Sequence, residues 1–458
     1  MSYYESFKKS IKKSIDPSDE VTDQELFEAL KQQELGVFES ILGSLSAEQI
    51  LTVDEMQIFN SFDLEEPTDK VNNQGNKTVV MKLTRLCNLR CDYCFSWAEG
   101  PDQTMTFSTI AKTIYENQRE TNLENITYVW HGGEVTILGV KVFIKMIWLQ
   151  SQFKREGQNI SNALQTNGVN VSDEWFEFME LLRLPVGLSM DGIPDLNDVR
   201  RKKVDGSGSS QDVINFISRV NQSKIELGCL VVIDKENMTM DMEELFNFFI
   251  SMGVDKIDFL NYTVDSEYIN KVFNSPESLI YSDNVDPKFI SFPEFCSFML
   301  NVFKLWKSTY QDKITIRFLD KLIEAIFNES NIDNCYFEGG CLDSIFTIEP
   351  DGAIDSCDRL IGIDRDACGE QSSSGCNSCS SSNIETFAYE DGMSNCNWFY
   401  LCGGGCPHDR IAGTALSHSY DGACCGMQEL LDNIYNFVLS KQSIKPKGVS
   451  QNESININ

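Results

Sequence analysis

The uneven distribution of sixteen cysteines constrains this 458-residue chain more than any other feature. Three cysteines fall close together near residue 90, two are isolated, and eleven lie within residues 335–425. The lysine-rich residues 1–14 are not followed by the apolar core of a secretory signal, so we expect a cytoplasmic protein. In a reducing compartment, so many clustered cysteines indicate metal or redox chemistry rather than a disulfide framework.

The net charge of the chain limits the classes of partner that we expect. There are 38 basic and 69 acidic residues, which gives a net charge of −31. A protein this acidic repels phosphate backbones and anionic lipid surfaces, so we expect neither nucleic-acid nor membrane binding. A basic peptide partner is compatible with this charge, although solubility alone is a simpler explanation for it. The content of 41% hydrophobic residues excludes a disordered chain.

Strand-like and helix-like patterns alternate from residue 77 to about residue 265. Such alternation predicts an α/β fold with a parallel sheet and right-handed crossovers, and six repeats suit a partial or full barrel. Active sites of these barrels lie at the carboxyl ends of the strands, so the residues just after each strand matter most. The predicted strands are 79–83, 126–130, 161–164, 186–190, 227–233 and 256–261.

The remaining sequence predicts four further regions. Residues 1–76 have three helix-start signals and form a helical N-terminal module, which either captures a peptide or packs as a cap on the next domain. Residues 266–334 form a helical bridge, residues 335–440 a cysteine-rich domain, and residues 441–458 a disordered tail.

The first cysteine group follows directly after the first predicted strand, at Cys87, Cys91 and Cys94. Three thiolates in a short loop can hold three irons of a cubane cluster and leave the fourth iron open to a small molecule. Zinc normally takes four ligands, often in CxxC pairs, so a zinc site or buried thiols explain this spacing less well.

This CxxxCxxC motif resembles that of the radical S-adenosylmethionine (SAM) enzymes, which have a partial (β/α)6 barrel. The resemblance implies a [4Fe-4S] cluster on the three cysteines and SAM bound to the open iron. It also implies that the reduced cluster cleaves SAM, and that the resulting 5′-deoxyadenosyl radical abstracts a hydrogen atom from the substrate.

Further matches to this family lie at the predicted strand ends. The His131-Gly132-Gly133-Glu134 segment is similar to the family motif that contacts the SAM amino group. Arg201 resembles the arginine that pairs with the SAM carboxylate, with Arg200 as an alternative. An ordinary glycine turn and a surface arginine are the alternatives without function. The SAM-binding residues implied by the resemblance are Gly132, Gly133, Glu134, Gln165, Asn167, Ser189, Asp191, Arg201 and Leu260, the last beside Asn261.

The cysteine-rich tail resembles the SPASM extension of radical SAM maturases, which binds two auxiliary [4Fe-4S] clusters. Zinc ribbons are the alternative. By this resemblance Cys335, Cys341, Cys357 and Cys406 hold the first auxiliary cluster. The second is less complete, because Met393 occupies its expected first position. Its candidate ligands are Cys396, Cys402, Cys424, Cys425, Cys376 and Cys379; helical register slightly favours Cys424 over Cys425, and the second cluster can also be absent.

Asp358 follows the proposed ligand Cys357 and is a candidate general base for the proton that a substrate radical loses. An aspartate in this position is thought to have that role in sulfatase maturases. We expect burial beside the cluster to raise its pKa, with hydrogen bonds as a possible offset. The alternative is that Asp358 is an ordinary solvated aspartate with no catalytic role. His408 and His418 are more often structural than proton carriers.

The local tail sequence is most similar to maturases of ribosomally made peptides. We therefore expect a radical SAM/SPASM oxidoreductase that forms a thioether, carbon–carbon or cyclophane crosslink in a precursor peptide. An anaerobic sulfatase maturase that forms formylglycine is the alternative, and a non-catalytic iron–sulfur or peptide-binding protein is the alternative of another class. The expected cofactors are three [4Fe-4S] clusters and SAM, and the expected partners are the precursor peptide and a flavodoxin or ferredoxin.

Overall fold

A nine-stranded sheet organises the computed structural model. The residues described are 2–16, 21–65, 67, 70–119, 123–274, 286–330, 345–355, 357–360, 393–416 and 425–442. The strands are β1 (Asn72–Thr84), β2 (Leu89–Cys91), β3 (Leu123–Gly132), β4 (Asn159–Thr166), β5 (Val186–Ser189), β6 (Arg201–Lys203), β7 (Leu227–Ile233), β8 (Lys256–Asn261), β9 (Thr315–Ile316), β10 (Ile345–Ile348) and β11 (Ile354–Asp355). The order in the large sheet is β11-β10-β1-β3-β4-β5-β7-β8-β9.

Helices connect these strands and cover the sheet. In the described ranges they are Tyr3–Ile15, Asp23–Lys31, Val37–Gly43, Ala47–Ile50, Val53–Phe59, Phe107–Arg119, Val140–Phe153, Asp173–Leu182, Pro194–Arg200, Ser210–Val220, Met242–Ser251, Ser266–Asn274, Phe292–Leu305, Arg317–Asn328, Phe399–Cys402, Pro407–Leu416 and Gln428–Gln442. No helix in these ranges has both the length and the apolar character needed to cross a membrane.

The α/β fold predicted from the sequence is confirmed. All six predicted strands are present, as β1, β3, β4, β5, β7 and β8, and neighbours among them pair in parallel. Apolar side chains of these strands, such as Met81 and Val231, are fully buried because helices cover the sheet. The carboxyl ends of all six strands therefore meet at one edge.

Strand β10 extends this sheet beyond its first strand. It pairs in parallel with β1, so that Val79 lies opposite Phe346 and Met81 opposite Ile348. The chain turns back after β10, and the short strand β11 pairs with it in the antiparallel sense. The sequence did not predict this pairing, which brings residues 349–360 to the carboxyl end of β1.

The N-terminal helices pack on the helix Val140–Phe153. Phe59 packs against Trp148 with the two rings tilted and their centroids 4.9 Å apart, and the Trp148 indole N–H donates to the Leu45 carbonyl at 2.9 Å. Glu55 and Lys145 form an ion pair across the same contact. The predicted helix starts at Thr22, Ser46 and Thr52 all form capping boxes. These contacts show packing against the barrel, while peptide capture by the module stays a prediction.

We predict that Phe59→Ala destabilises the protein through this contact. Phe59 is buried between Trp148 and Phe153, so its removal leaves a cavity and should cost about 3 kcal/mol. The measurement is the midpoint of urea denaturation, followed by tryptophan fluorescence. Val53→Ala is the matched control, because Val53 lies in the same helix and is exposed. Equal midpoints for the two variants would contradict the packing role of Phe59.

Candidate functional site

The three clustered cysteines lie in the loop that leaves β1. Within this loop, β2 pairs with β6 and places Cys91 opposite Arg201. The backbone amide of Leu89 donates to the Cys87 Sγ at 3.3 Å, and that of Ser96 donates to the Cys94 Sγ at the same distance. The loop thus presents its sulfur atoms at the carboxyl end of the barrel, with backbone donors already aimed at two of them.

The electrostatics of this loop fit thiolate ligation by a metal cluster. Burial raises the pKa of Cys87 to about 11 and that of Cys91 to about 12. Free thiols here keep their protons at neutral pH, whereas a coordinated metal removes them. No set of three or more His, Cys, Asp or Glu side chains is arranged around a single metal ion in the part of the chain that the structure describes. A cubane takes one thiolate per iron, so its ligands do not need to converge on one point.

The two glycines after β3 pack against the cysteine loop. Gly132 has a φ of 140°, and the Gly133 amide donates to the Thr84 carbonyl at 2.6 Å. A Cβ atom on Gly132 would lie 2.1 Å from the Thr84 oxygen, and one on Gly133 would lie 2.3 Å from the Leu86 oxygen. The close approach that requires glycine is therefore an approach to the backbone before Cys87, and a side chain at either position would displace the cysteine loop.

Glu134 joins the ends of β3 and β4. Its carboxylate is 2% exposed and accepts hydrogen bonds from the Thr136 amide and hydroxyl, the Thr166 hydroxyl at 2.8 Å and the Asn167 amide at 2.7 Å. These four protein donors pair with the buried carboxylate and fix its orientation. The predicted contact with the SAM amino group must therefore use the remaining acceptor capacity of this carboxylate.

Three other predicted SAM-binding residues come together next to Glu134. The Asn167 side-chain amide donates to the Asn88 side-chain oxygen at 2.8 Å and lies 3.8 Å from the Cys87 Sγ. The Gln165 amide donates to the Ser189 hydroxyl at 2.9 Å, which links β4 to β5. The strand ends thus form a continuous polar rim beside the cysteine loop.

The two neighbouring arginines have different surroundings. Arg200 is buried and pairs with Asp234 at 2.7 Å and with Asp191 at 3.3 Å. Asp191 is fully buried and also accepts the Val232 amide, so its carboxylate serves these protein contacts. SAM binding by the Asp191 side chain stays a prediction. Arg200, the alternative partner of the SAM carboxylate, thus already pairs with two carboxylates of the protein.

Arg201 can still pair with the carboxylate of SAM. Its guanidinium contacts the Tyr93 hydroxyl, and its buried Nε donates to no group in the described residues. A buried cation with an unused donor beside Cys91 suits a small anionic ligand, such as the carboxylate of an amino acid. The residues present therefore fit SAM. Leu260 lies half-buried at the end of β8, and its neighbour Asn261 donates to Asp409 of the tail at 3.2 Å.

A cluster of charged side chains lies beside the cysteine loop. Lys82 of β1 is completely buried, forms a close ion pair with Asp358, and lies 3.5 Å from a carboxylate oxygen of Glu349. Glu349 also pairs with Arg85 at 2.7 Å. His131, the partner of Lys82 in the β1–β3 register, has a buried Nδ1 with no hydrogen bond among the described residues. Sequence analysis missed Lys82, although a lysine within an apolar strand is a usable signal.

These charges reverse the expected pKa shift of Asp358. Burial alone raises its pKa, but the positive charge of Lys82 and, after it, the influence of His131 lower it more, so the net shift is downward. The expectation of a raised pKa is wrong because Lys82 is far away in sequence. Burial, the largest influence, also lowers the pKa of His131. Asp358, whose side chain is 28% exposed, is therefore held as a carboxylate.

Cys357, a predicted ligand of the first auxiliary cluster, immediately precedes Asp358 in the chain. Cys357 and Cys406 are near one another, and burial raises the pKa of both thiols. Arg359 donates to the Cys406 Sγ at 3.4 Å and to the two carboxylate oxygens of Asp409 at 2.7 and 3.1 Å. The other predicted tail residues Cys335, Cys341, Cys376, Cys379, Cys424 and His418 lie outside the described residues.

The second cysteine group of the tail includes two residues in contact. The Sγ atoms of Cys402 and Cys425 are 3.7 Å apart and buried, so these two thiols lie close enough to bind the same cluster. The ligand set of the second auxiliary cluster stays a prediction. Cys396 is half-buried, and its amide donates to the Met393 carbonyl at 3.0 Å. His408 is buried with Nδ1 3.3 Å from Asp409.

Comparison with known proteins supports this interpretation of the site. Residues 81–249 match the Radical SAM superfamily. A cysteine-type anaerobic sulfatase-maturating enzyme of Clostridium novyi is 26% identical over 341 residues, which cover 71% of this chain and 86% of that protein. A serine-type anaerobic sulfatase-maturating enzyme of Bacteroides thetaiotaomicron is 24% identical over 360 residues, which cover 74% and 84%.

A solved structure shows the same fold. The structure of native anSMEcpe with bound AdoMet superposes with a TM-score of 0.64 at 22% identity, covering 80% of this chain and 100% of the other. The relatives correct the main functional expectation, because they are sulfatase-maturating enzymes rather than peptide-crosslinking maturases. The alternative of a sulfatase maturase is the better supported one. With its cysteine loop at the carboxyl end of a parallel α/β sheet, the chain contains a radical SAM domain over residues 81–249.

Proposed function

We propose that this protein is an enzyme of the sulfatase-maturating type, which oxidises a cysteine or serine side chain of a protein substrate to formylglycine. The observation that carries the proposal is the Asp358 carboxylate, which Lys82 holds at the carboxyl end of the barrel beside the cysteine loop. The similarity to sulfatase-maturating enzymes over 71% of the chain supports the same substrate class.

Each part of the site has a role in this proposal. Cys87, Cys91 and Cys94 would hold the cluster, and Arg201 would bind the carboxylate of SAM. Together the cluster and SAM supply the 5′-deoxyadenosyl radical that takes a hydrogen atom from the substrate. The polar rim around Glu134 orients the bound SAM by hydrogen bonds.

Asp358 handles the proton of the oxidation. When the carbon that carries the substrate thiol or hydroxyl is oxidised, a proton and an electron must leave after the hydrogen atom. Serine then gives the aldehyde directly, whereas cysteine gives a thioaldehyde that water hydrolyses to the aldehyde with release of hydrogen sulfide. A carboxylate held ionised by Lys82 accepts the proton at its oxygen. The ion pair also fixes the direction of this side chain, because Lys82 is itself anchored in β1.

The electron needs an acceptor next to Asp358. A first auxiliary [4Fe-4S] cluster on Cys335, Cys341, Cys357 and Cys406 would lie there, because Cys357 immediately precedes Asp358. A second auxiliary cluster would use Cys396, Cys402 and Cys425, with a fourth ligand from Cys376, Cys379 or Cys424. An external flavodoxin or ferredoxin would then exchange electrons with the protein.

The activity is tested with short sulfatase-derived peptides that carry cysteine, serine or alanine at the modified position. The reconstituted protein, SAM and dithionite should convert the cysteine or the serine peptide into a formylglycine peptide. An aldehyde-reactive hydrazide and mass spectrometry detect the product, and the alanine peptide is the control. Cleavage of SAM without aldehyde in either peptide would contradict the proposed substrate class.

We predict that Cys91→Ala abolishes the formation of 5′-deoxyadenosine. Two remaining thiolates in the loop cannot hold the cubane well, so the variant should contain about four irons fewer per chain. The measurements are iron content and SAM cleavage after anaerobic reconstitution. Cys229→Ala is the matched control, because Cys229 is a buried thiol of β7. SAM cleavage that survives in the Cys91 variant would refute the assignment of the SAM cluster.

We predict that Asp358→Asn separates SAM cleavage from product formation. The amide cannot accept the substrate proton, so formylglycine should fall about 100-fold or more, while 5′-deoxyadenosine is still produced. Both compounds are measured in the same reaction. Asp351→Asn removes the same charge from an exposed turn of the same segment and should keep the wild-type ratio. A wild-type ratio for the Asp358 variant would show that the base lies elsewhere.

A further inference from the structure

The side chain of Arg359 links the tail to the barrel. Its Nη1 lies 3.4 Å from the Cys406 Sγ, and its Nε donates to the Thr263 hydroxyl at 3.1 Å. Its Nη2 approaches the Tyr262 carbonyl at 3.4 Å, just beyond β8. The guanidinium is thus held by the barrel on one side and faces a proposed cluster ligand on the other.

Asp409 is the counter-ion of this guanidinium. It accepts two hydrogen bonds from Arg359 and is buried together with His408. One positive and one negative charge therefore lie beside Cys406. The guanidinium is the charged group within hydrogen-bond distance of its sulfur, which also accepts from the backbone amides of His408 and Asp409.

A donor on a ligand sulfur changes the redox behaviour of an iron–sulfur cluster. Reduction adds negative charge, part of which resides on the thiolate sulfurs, and a hydrogen bond to such a sulfur stabilises the reduced state. A charged donor in a buried site has a larger effect than a neutral one. A buried carboxylate near the sulfur has the opposite effect, because its negative charge destabilises the reduced state.

We propose that Arg359 is a redox-tuning residue, which raises the reduction potential of the auxiliary cluster bound by Cys406 and makes it a better electron acceptor. The inference rests on the proposed function, since the electron is the one released when the substrate radical becomes the oxidised product. The cluster gains this electron, and the proton goes to a nearby base. Asp409 has the opposite effect: its negative charge lowers the reduction potential and partly offsets the effect of the guanidinium.

The experiment is a potentiometric titration followed by electron paramagnetic resonance in the Cys91→Ala background, where only tail clusters remain. We expect Arg359→Met to shift one tail signal to lower potential and Asp409→Asn to shift the same signal to higher potential. The double variant should lie between the two. Arg219→Gln is the control for net charge, because Arg219 pairs with the exposed Asp173 on a helix of the barrel; it should leave the potential unchanged.

A merely structural ion pair predicts a different pattern. Arg359→Met and Asp409→Asn break the same pair, so a structural role would shift the potential in the same direction or not at all, and either result would overturn the proposal. If Arg359→Met does not retain tail iron, Arg359→Lys is measured instead. We then expect a smaller shift of the reduction potential to lower values, and an unchanged potential would contradict the proposal. Absence of tail iron in the parent would instead refute the auxiliary cluster and with it the redox part of the proposed function.

Discussion

The parallel pairing of β10 with β1 is the contact on which the site depends. The first strand of the barrel leads into the cysteine loop, and β10 runs beside it in the same direction. The chain segments that follow the two strands must then emerge at the same edge of the sheet. This constraint places Glu349 and Asp358, more than 260 residues later in the chain, beside Lys82 and Arg85. The pairing therefore fixes Glu349 and Asp358 relative to the proposed SAM cluster.

Buried charges complete this arrangement, and each has a specific partner. Arg200 neutralises Asp191 and Asp234 inside the barrel, whereas the adjacent Arg201 faces Cys91 with an unused donor. Isolated charges in such an environment are costly, so removal of one partner penalises the one that remains. For these two arginines, charge pairing distinguishes Arg200, which stabilises the barrel, from Arg201, which can bind a ligand.

The site and the relatives lead to one chemical interpretation. A cysteine loop, a buried arginine and a carboxylate held ionised suit the removal of a hydrogen atom, followed by loss of a proton and an electron. Crosslinking and formylglycine formation share these steps, so the tail motifs alone did not separate them. The similarity to sulfatase-maturating enzymes over most of the chain favours oxidation of a single side chain.

The sequence alone determined the α/β class, the six barrel strands and the cysteine loop, because periodicity and short spacing are local properties. It also marked the glycines after β3, but not the backbone at Thr84 and Leu86 that requires them. Only the tertiary structure decided which of two adjacent arginines is free, and that the Asp358 pKa is lowered. Neighbouring side chains on a chain point in different directions, and pKa shifts depend on charges distant in sequence. Lys82 and Asp358 meet only because β1 and β10 pair, which no local pattern records.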